Sequence, residues 1–295
     1  MPEPALRPKH KLRVPRPRRG PLRVLVGTRK GAFAIDGDEA RGRFEVHRPW
    51  HLGWTCFHLV ADPRRKGTLL AAVRDHDGWP TIVISEDEGE RWEEAAEPPR
   101  FGKAVGGSAF DRHVDHVFWL SPGRAFEPGT WYCGTSPQGL FRSLDGGRTW
   151  RAIEGLHGHD EFDAWTALDR DRTPDGPKLH SILPDPRDAD RMVVAMSSGG
   201  VLETLDGGAT WARLDGGLAG DEARDPHCVV AAPTNPDRLW MQSHFGVYRM
   251  DRDEGGGAWR RTGPRDGDGA FDDAGFPIAV HPHDPDVAWI VPMDG

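Results

Sequence analysis

One eight-residue pattern recurs along this chain and constrains its fold more than any other feature. Ser85-Glu-Asp87-Glu-Gly89-Glu-Arg-Trp92, Ser143-Leu-Asp145-Gly-Gly147-Arg-Thr-Trp150 and Thr204-Leu-Asp206-Gly-Gly208-Ala-Thr-Trp211 all read Ser/Thr-x-Asp-x-Gly-x-x-Trp. A decayed fourth copy ends at Trp259, with Arg252, Glu254 and Gly256 in the Ser, Asp and Gly places. Successive tryptophans lie 58, 61 and 48 residues apart, which suits one supersecondary unit with loops of variable length. Each copy predicts a turn: the aspartate accepts backbone N–H bonds, the glycine supplies positive φ, and the tryptophan returns as an apolar anchor.

The frame around the pattern repeats too. In one unit, residues 179–183 read as a strand, Pro184-Asp-Pro186 as a turn and residues 191–196 as a second strand. Residues 201–204 make a third strand, the Asp pattern turns the chain, and residues 210–214 make the fourth. Composition agrees. The 37 glycines and 26 prolines are about a fifth of the chain, against about 12 % in typical proteins. That content disfavours long helices and excludes a helical bundle or coiled coil. With 37 % hydrophobic residues and 12 tryptophans, the chain is too apolar to be a disordered linker. The fold class expected is all-β, a β-propeller of four-stranded antiparallel blades.

The motif resembles the Asp-box, or BNR repeat, of sialidases, sortilin-type receptors, xyloglucan hydrolases and photosystem II assembly factors. The whole chain from about residue 22 resembles stand-alone bacterial BNR proteins of sialidase-like or glycosyl hydrolase-like type. In that family the box lies on the outer edge of the propeller, away from the ligand. The resemblance therefore implies structural work for Asp87, Trp92, Asp145, Trp150, Asp206 and Trp211. Residues 21–295 are expected to form the propeller and residues 1–20 a disordered basic arm. Counting strands predicts three, then four in each of four units, then two. That count implies six or, by preference, seven blades with the last incomplete at its C-terminal side.

Charge and cysteine content narrow the function classes. Seven basic residues and one acid fall within residues 1–20, so a net charge of −8 for the chain leaves −14 on the rest. An acidic body argues against nucleic-acid binding, which needs clustered Lys and Arg. No apolar h-region follows the basic arm, and no apolar run approaches the length of a membrane span. Cys56, Cys133 and Cys228 are odd in number and scattered, so no disulfide framework is implied and a cytoplasmic setting is expected.

In the families resembled, ligands bind at the mouth of the central channel. The loops that would build it join the second and third strands (28–31, 74–80, 135–139, 197–200, 243–246) or lead into the first strands (50–51, 112–113, 157–165, Asp225, 272–273). They carry the candidate ligand residues Arg29, His76, His113 and His244, and the candidate catalytic residues Asp75, Asp115, Arg112 and Asp225. Aligning first strands on Pro122, Pro186 and Pro233 puts His116, His180 and His227 six residues earlier in each case. Three repeat-equivalent imidazoles at a channel mouth would suit a divalent metal, the one cofactor considered. His157, His159, His244, His281 and His283 read as solvated loop residues or turn partners.

The sialidase chemistry implied by the resemblance needs an arginine triad, a tyrosine nucleophile activated by Glu, and an Asp acid/base. Only two tyrosines exist. Tyr248 is the repeat equivalent of Phe141 and Leu202, hence core, and Tyr132 lies within a second strand beside Trp131. The arginines near the mouth (Arg29, Arg74, Arg112, Arg224) carry no mark of a triad, and the Phe/Tyr-Arg-Ile-Pro segment of sialidases is absent. A glycosidase using two mouth carboxylates stays open among Asp75, Asp77, Asp115, Asp160, Glu161, Asp163, Asp225 and Asp272. No phosphate-binding loop, dinucleotide fingerprint or serine nucleophile elbow is present. The leading expectation is a binding or scaffold propeller that takes a small molecule, glycan or protein at its mouth. A glycoside hydrolase and a His-metal enzyme are the alternatives.

Overall fold

The computed structural model describes residues 22–38, 40–102, 113–166, 176–252, 257–262 and 273–293. Its strands form six antiparallel sheets in chain order. The first holds β1 (Leu22–Thr28), β2 (Gly31–Gly37) and β3 (Phe44–Val46). The second holds β4 (Thr55–Ala61), β5 (Leu69–Arg74), β6 (Pro80–Ser85) and β7 (Glu93–Glu94). The third holds β8 (His116–Pro122), β9 (Trp131–Ser136), β10 (Gly139–Ser143) and β11 (Arg151–Ala152). The fourth holds β12 (Leu179–Pro184), β13 (Met192–Met196), β14 (Gly200–Thr204) and β15 (Ala212–Arg213). The fifth holds β16 (Pro226–Ala232), β17 (Asn235–Ser243), β18 (Gly246–Asp251) and β19 (Arg260–Arg261), and β20 (Gly275–Val280) pairs with β21 (Ala288–Pro292) in the last.

Every sheet is a meander, each strand pairing with the next. The strands β4, β8, β12, β16 and β20 adjoin one another in series, and β5, β9, β13 and β17 each lie against the first strand of the following sheet. This succession of meanders around inner strands is a β-propeller. β1 packs on β4 as those second strands do on their neighbours, so the first sheet supplies the second, third and fourth strands of its blade. Stacking explains the burial. β9 and β13 are buried at every residue because a second strand has a sheet on each face, whereas the outermost β7 is two exposed glutamates. Short, charged outer strands are the usual protection of a sheet edge. Among the described residues no packed pair of strands joins the first sheet to the last. Large apolar side chains are exposed on both: Leu22, Val24, Phe44 and Val46 on one, Phe276, Trp289 and Val291 on the other.

The three Asp turns are superposable in their bonding. The Asp145 carboxylate accepts from Ser143 Oγ (2.7 Å), Thr149 N (2.9 Å) and Thr149 Oγ1 (2.7 Å), while Ser143 Oγ accepts from Gly147 N (2.9 Å). Asp206 does the same with Thr204 and Thr210, and Asp87 with Ser85 and the Arg91 amide. The indole N–H then donates to the glycine carbonyl of its own turn, at 3.0 Å for Trp92, 2.8 Å for Trp150 and 3.2 Å for Trp211. Gly147 has φ +94°, and a Cβ there would stand 2.6 Å from Leu70 Cδ2, so neither the turn nor the sheet contact admits a side chain. Each tryptophan packs into the core shared with the preceding sheet: Trp150 with Leu70, Ile82 and Ile84, Trp211 with Tyr132 and Leu140. Trp259 repeats the packing, against Val193, Ala195 and Val201, but its indole donates to Leu214 O at 2.8 Å. Glu254 and Gly256 of the decayed copy lie outside the described residues.

Between 153 and 166 the chain departs from the loop expected at 157–165. Glu154–His157 (α1) and Phe162–Thr166 (α2) are short helices that bury Leu156, Phe162 and Trp165 beside Leu179 and Met196. His157, read as a solvated loop residue or turn partner, is half-buried and packs on this core. Its Nε2 accepts the Leu140 amide at 3.0 Å and its ring stacks on Phe162 at 5.0 Å.

A second device was not legible in the repeat. After four of the inner strands, in the turn or just inside the next strand, an arginine reaches the following sheet. Arg64, held by Asp62, donates to the Glu127 and Thr130 carbonyls at 2.9 and 2.8 Å. Arg124 donates to the Asp185 and Arg191 carbonyls at 2.8 and 2.6 Å, Arg187 forks onto Asp237 at 2.7 and 2.8 Å, and Arg238 meets Asp286. Arg124 is 4 % exposed, so its removal would take a charged donor from the Asp185 and Arg191 carbonyls and from Glu127. Arg124→Ala is expected to cost about 3–5 kcal/mol in denaturant unfolding, as when one partner of a buried ion pair is deleted. Trp150→Ala should cost a similar 3–5 kcal/mol, and Asp145→Ala about 1 kcal/mol. The reverse ranking of those last two would show that the turn carboxylate, not the indole, holds the blade.

Candidate functional site at one end of the propeller

Antiparallel pairing decides which loops share an end. Thr55 pairs with Arg74 and Arg74 with Pro80, so the turn at 75–79 sits beside the start of β4; Ser85 pairs with Leu69 at the other end. The same register in the other sheets gathers Arg29, Asp75, His76, His113, Asp115, Asp225 and His244 at one end, with Asp87, Asp145 and Asp206 at the opposite end. This is the division expected from the resemblance. Arg112 and Asp272 lie outside the described residues.

A cleft of about 780 Å³ opens at this end between the second and third sheets. Asp75, Asp77, Trp79, Glu94, Phe101 and His113 are among its lining residues. Trp79 is 70 % exposed on the turn, an indole face offered to solvent. Of the three carboxylates nominated for catalysis, Asp75 and Asp115 are both engaged here. Asp75 Oδ1 accepts the Asp77 and Trp79 amides at 2.9 and 2.8 Å and so shapes the turn that presents Trp79. Asp115 Oδ2 accepts from Arg74 at 2.6 Å and lies 2.8 Å from His116 Nδ1, while Arg74 also donates to the Asp115 carbonyl at 2.9 Å. The shifted carboxyls among the described residues, Glu161 and Asp225 at this end included, are all shifted downward by their donors. His76 packs edge-on against Trp54 at 5.8 Å.

The three histidines expected to be repeat-equivalent are not in one register. Each inner strand carries a bulge, and the bulged residue is Phe57 in β4, Phe118 in β8, His180 in β12, His227 in β16 and Phe276 with Pro277 in β20. Phe118, not His116, occupies the place of His180 and His227. Pro122 misled the alignment because it ends β8, whereas the turn position of Pro63 and Pro186 is filled by Arg124: the amide bonds Asp62 to Thr68, Gly123 to Thr130 and Asp185 to Arg191 mark the true equivalents. His116 is buried, stacks on Phe57 at 4.2 Å, and has its pKa lowered because burial outweighs the pull of Asp115.

The fifth sheet brings together a different set. Asp225, His227 and His244 each offer a ligand atom, all within 4.8 Å of one another, the one such group of His, Cys, Asp and Glu among the described residues. His227 Nδ1 is 2.7 Å from the Gly275 carbonyl and its Nε2 is 3.7 Å from Asp225 Oδ2. Burial would lower the His227 pKa, but Asp225 and that carbonyl outweigh it and raise it; Asp225 in turn is lowered, first by His227. His180, 5 % exposed, is driven down to about 3, first by burial and next by His227. Both tyrosines are core, as expected: Tyr132 is 2 % exposed, and Tyr248, 3 % exposed, donates to Glu222 at 3.1 Å. His159 and His281 are turn partners, each accepting a backbone amide two residues on. Trp79 was missed because nothing in its local sequence separates a displayed indole from the anchoring ones.

No family model matches the chain, and no curated protein matches it. Solved structures do. A GH74 enzyme from Niastella koreensis aligns over 80 % of this chain and 35 % of its own length, at 18 % identity and TM-score 0.52. An extracellular domain assigned to a hybrid two-component system of B. thetaiotaomicron covers 88 % of this chain and 29 % of that one, at 12 % identity and TM-score 0.53. YCF48 bound to a D1 peptide covers 92 % and 87 %, at 13 % identity and TM-score 0.39. The chain thus spans about a third of the GH74 enzyme it resembles. The two likenesses with TM-scores above 0.5 agree with the β-propeller fold. No helix among the described residues is long and apolar enough to cross a membrane.

A half-buried imidazole on β4 sets a pH dependence. His58 Nδ1 accepts the Leu120 amide at 2.9 Å across the second and third sheets, its ring stacks on Trp119 at 4.3 Å, and burial lowers its pKa to about 4. The folded state therefore holds His58 neutral, so its contribution is complete above the unfolded value of about 6.5 and is lost as pH falls toward 4. Unfolding free energy should decline over that window by up to about 3 kcal/mol from this group. His58→Asn should flatten the decline; an unchanged slope between pH 6.5 and 4.5 would reject the assignment.

Proposed function

We propose that the chain is a ligand-binding propeller of the Asp-box kind, and that the cleft between its second and third sheets takes an oligosaccharide. One observation carries the reading: an indole 70 % exposed, Trp79, displayed on a turn that Asp75 braces, at the rim of a cleft lined by carboxylates and an imidazole. A sugar ring has an apolar face that stacks on an indole and a polar rim that hydrogen-bonds carboxylate and imidazole, and a cleft of this size accommodates a few such rings. Binding is favoured over hydrolysis because Asp75 is committed to its turn and Asp115 to Arg74 and His116. Three unpaired cysteines support a reducing, cytoplasmic setting.

The test is calorimetric titration of the full chain with cello-, chito- and xylogluco-oligosaccharides, together with assay of released reducing sugar. Binding by at least one series, lost in Trp79→Ala and Glu94→Gln, is expected, without sugar release. Trp79→Ala should leave stability within about 0.5 kcal/mol, because the side chain is on the surface. Absence of binding across the panel would overturn the reading; sugar release abolished by Asp75→Asn or Asp115→Asn would replace it with the hydrolase.

A further inference from the structure

We propose that Asp225, His227 and His244, with the buried His180 behind them, form a site for one divalent first-row transition cation. The site lies in the fifth sheet, apart from the cleft above. The residue before β16, the bulge of β16 and the turn between β17 and β18 place a carboxylate and two imidazoles with their ligand atoms within 4.8 Å of one another.

Two further observations separate this group from an ordinary surface ion pair. An Asp–His pair needs one imidazole, yet the Asp225 carboxylate lies in the field of three: His227, His244 and His180. His180, 5 % exposed, has an Nε2 that is buried and without a hydrogen-bond partner. Its ring feels Asp225, His227 and the Pro226 carbonyl between them, which places it against the cluster. The ligand atoms that meet within 4.8 Å are those of Asp225, His227 and His244, so His180 backs the site without completing its ligand set.

The supporting shell fits as well. His227 Nδ1 bonds the Gly275 carbonyl at 2.7 Å, which leaves its Nε2 lone pair directed toward Asp225. Fixing one ring nitrogen on a backbone carbonyl is the usual way to orient a ligating imidazole. Stacking on Phe276 at 4.5 Å holds the same ring in place. On the open side, His244 also lines a cavity of about 490 Å³ with Glu222, Phe245, Arg261 and Asp273, so a cation would keep a face toward solvent. Nitrogen donors set the chemical class: imidazoles with one carboxylate suit zinc, nickel, cobalt or iron(II), whereas magnesium and calcium favour all-oxygen sets.

The test uses the full chain stripped with EDTA and titrated with cobalt(II), then zinc(II). One equivalent of cobalt should bind, with visible d–d absorption that zinc displaces, while magnesium should give no binding heat. Exposed His244 is the safest position to alter, and His244→Ala should weaken binding at least tenfold with an unchanged circular dichroism spectrum. Asp225→Asn should do the same. His281 and His283, whose rings lie 6.0 Å apart, could hold metal adventitiously, so the double change to alanine must leave binding intact. Absence of a cobalt band and of zinc heat would overturn the proposal. So would binding that survives both His244→Ala and Asp225→Asn, or binding that disappears with His281 and His283. Trp79→Ala should leave metal binding unchanged, so failure of the cleft and failure of this site remain distinguishable.

Discussion

Each four-stranded sheet of this protein has two apolar faces and can bury them only against its neighbours. The fold depends on that constraint. Second strands such as β9 and β13 are buried at every position because a sheet lies on either side. Trp150 and Trp211 extend the burial outward by packing into the core shared with the preceding sheet. The arginines after the inner strands act in the other direction, each donating to the following sheet. Hydrophobic contact alone is non-directional. The forked guanidinium bonds add a fixed geometry, so the sheets are held in one relative orientation.

This arrangement divides the two ends of the molecule. At the Asp-turn end, the turn carboxylates, hydroxyls and indoles are occupied by their own turns. The opposite end carries loops whose backbone is supported by the strands beneath, which leaves side chains such as Trp79 and His244 exposed. Function on a rigid scaffold concentrates in such loops. The acidic body and the carboxylate-lined cleft are consistent with a neutral or cationic ligand rather than a polyanion.

The repeat made the blades legible because its turn is local chemistry. Ser143, Asp145, Gly147 and Trp150 are close in sequence, so their spacing alone specifies the bonds they make. The register of the inner strands was not legible. Pro122 looked equivalent to Pro186 and Pro233, but the turn position belongs to Arg124, which is chosen for carbonyls in the next sheet and not for any local turn preference. Bulges at Phe57, Phe118, His180 and His227 compound the difficulty, since an extra residue shifts the phase without changing composition. The helices around Leu156 and Trp165 escaped notice for a similar reason: their apolar residues are too few for a helical period and are held by tertiary contact.

What the amino-acid sequence determined by itself was the unit, its strand count and the structural duty of Asp87, Asp145 and Asp206, because these rest on bonds between residues a few positions apart. The tertiary structure alone decided which candidate side chains meet. Asp225, His227 and His244 were each suspected separately, and for different tasks, but their meeting depends on the pairing of β16 with β17 and the turn into β18. Likewise His116 was removed from its supposed ring, and Asp115 and Arg74, 41 residues apart, were joined into one ion pair. Contacts between sheets follow from packing and register, which no short stretch of sequence encodes.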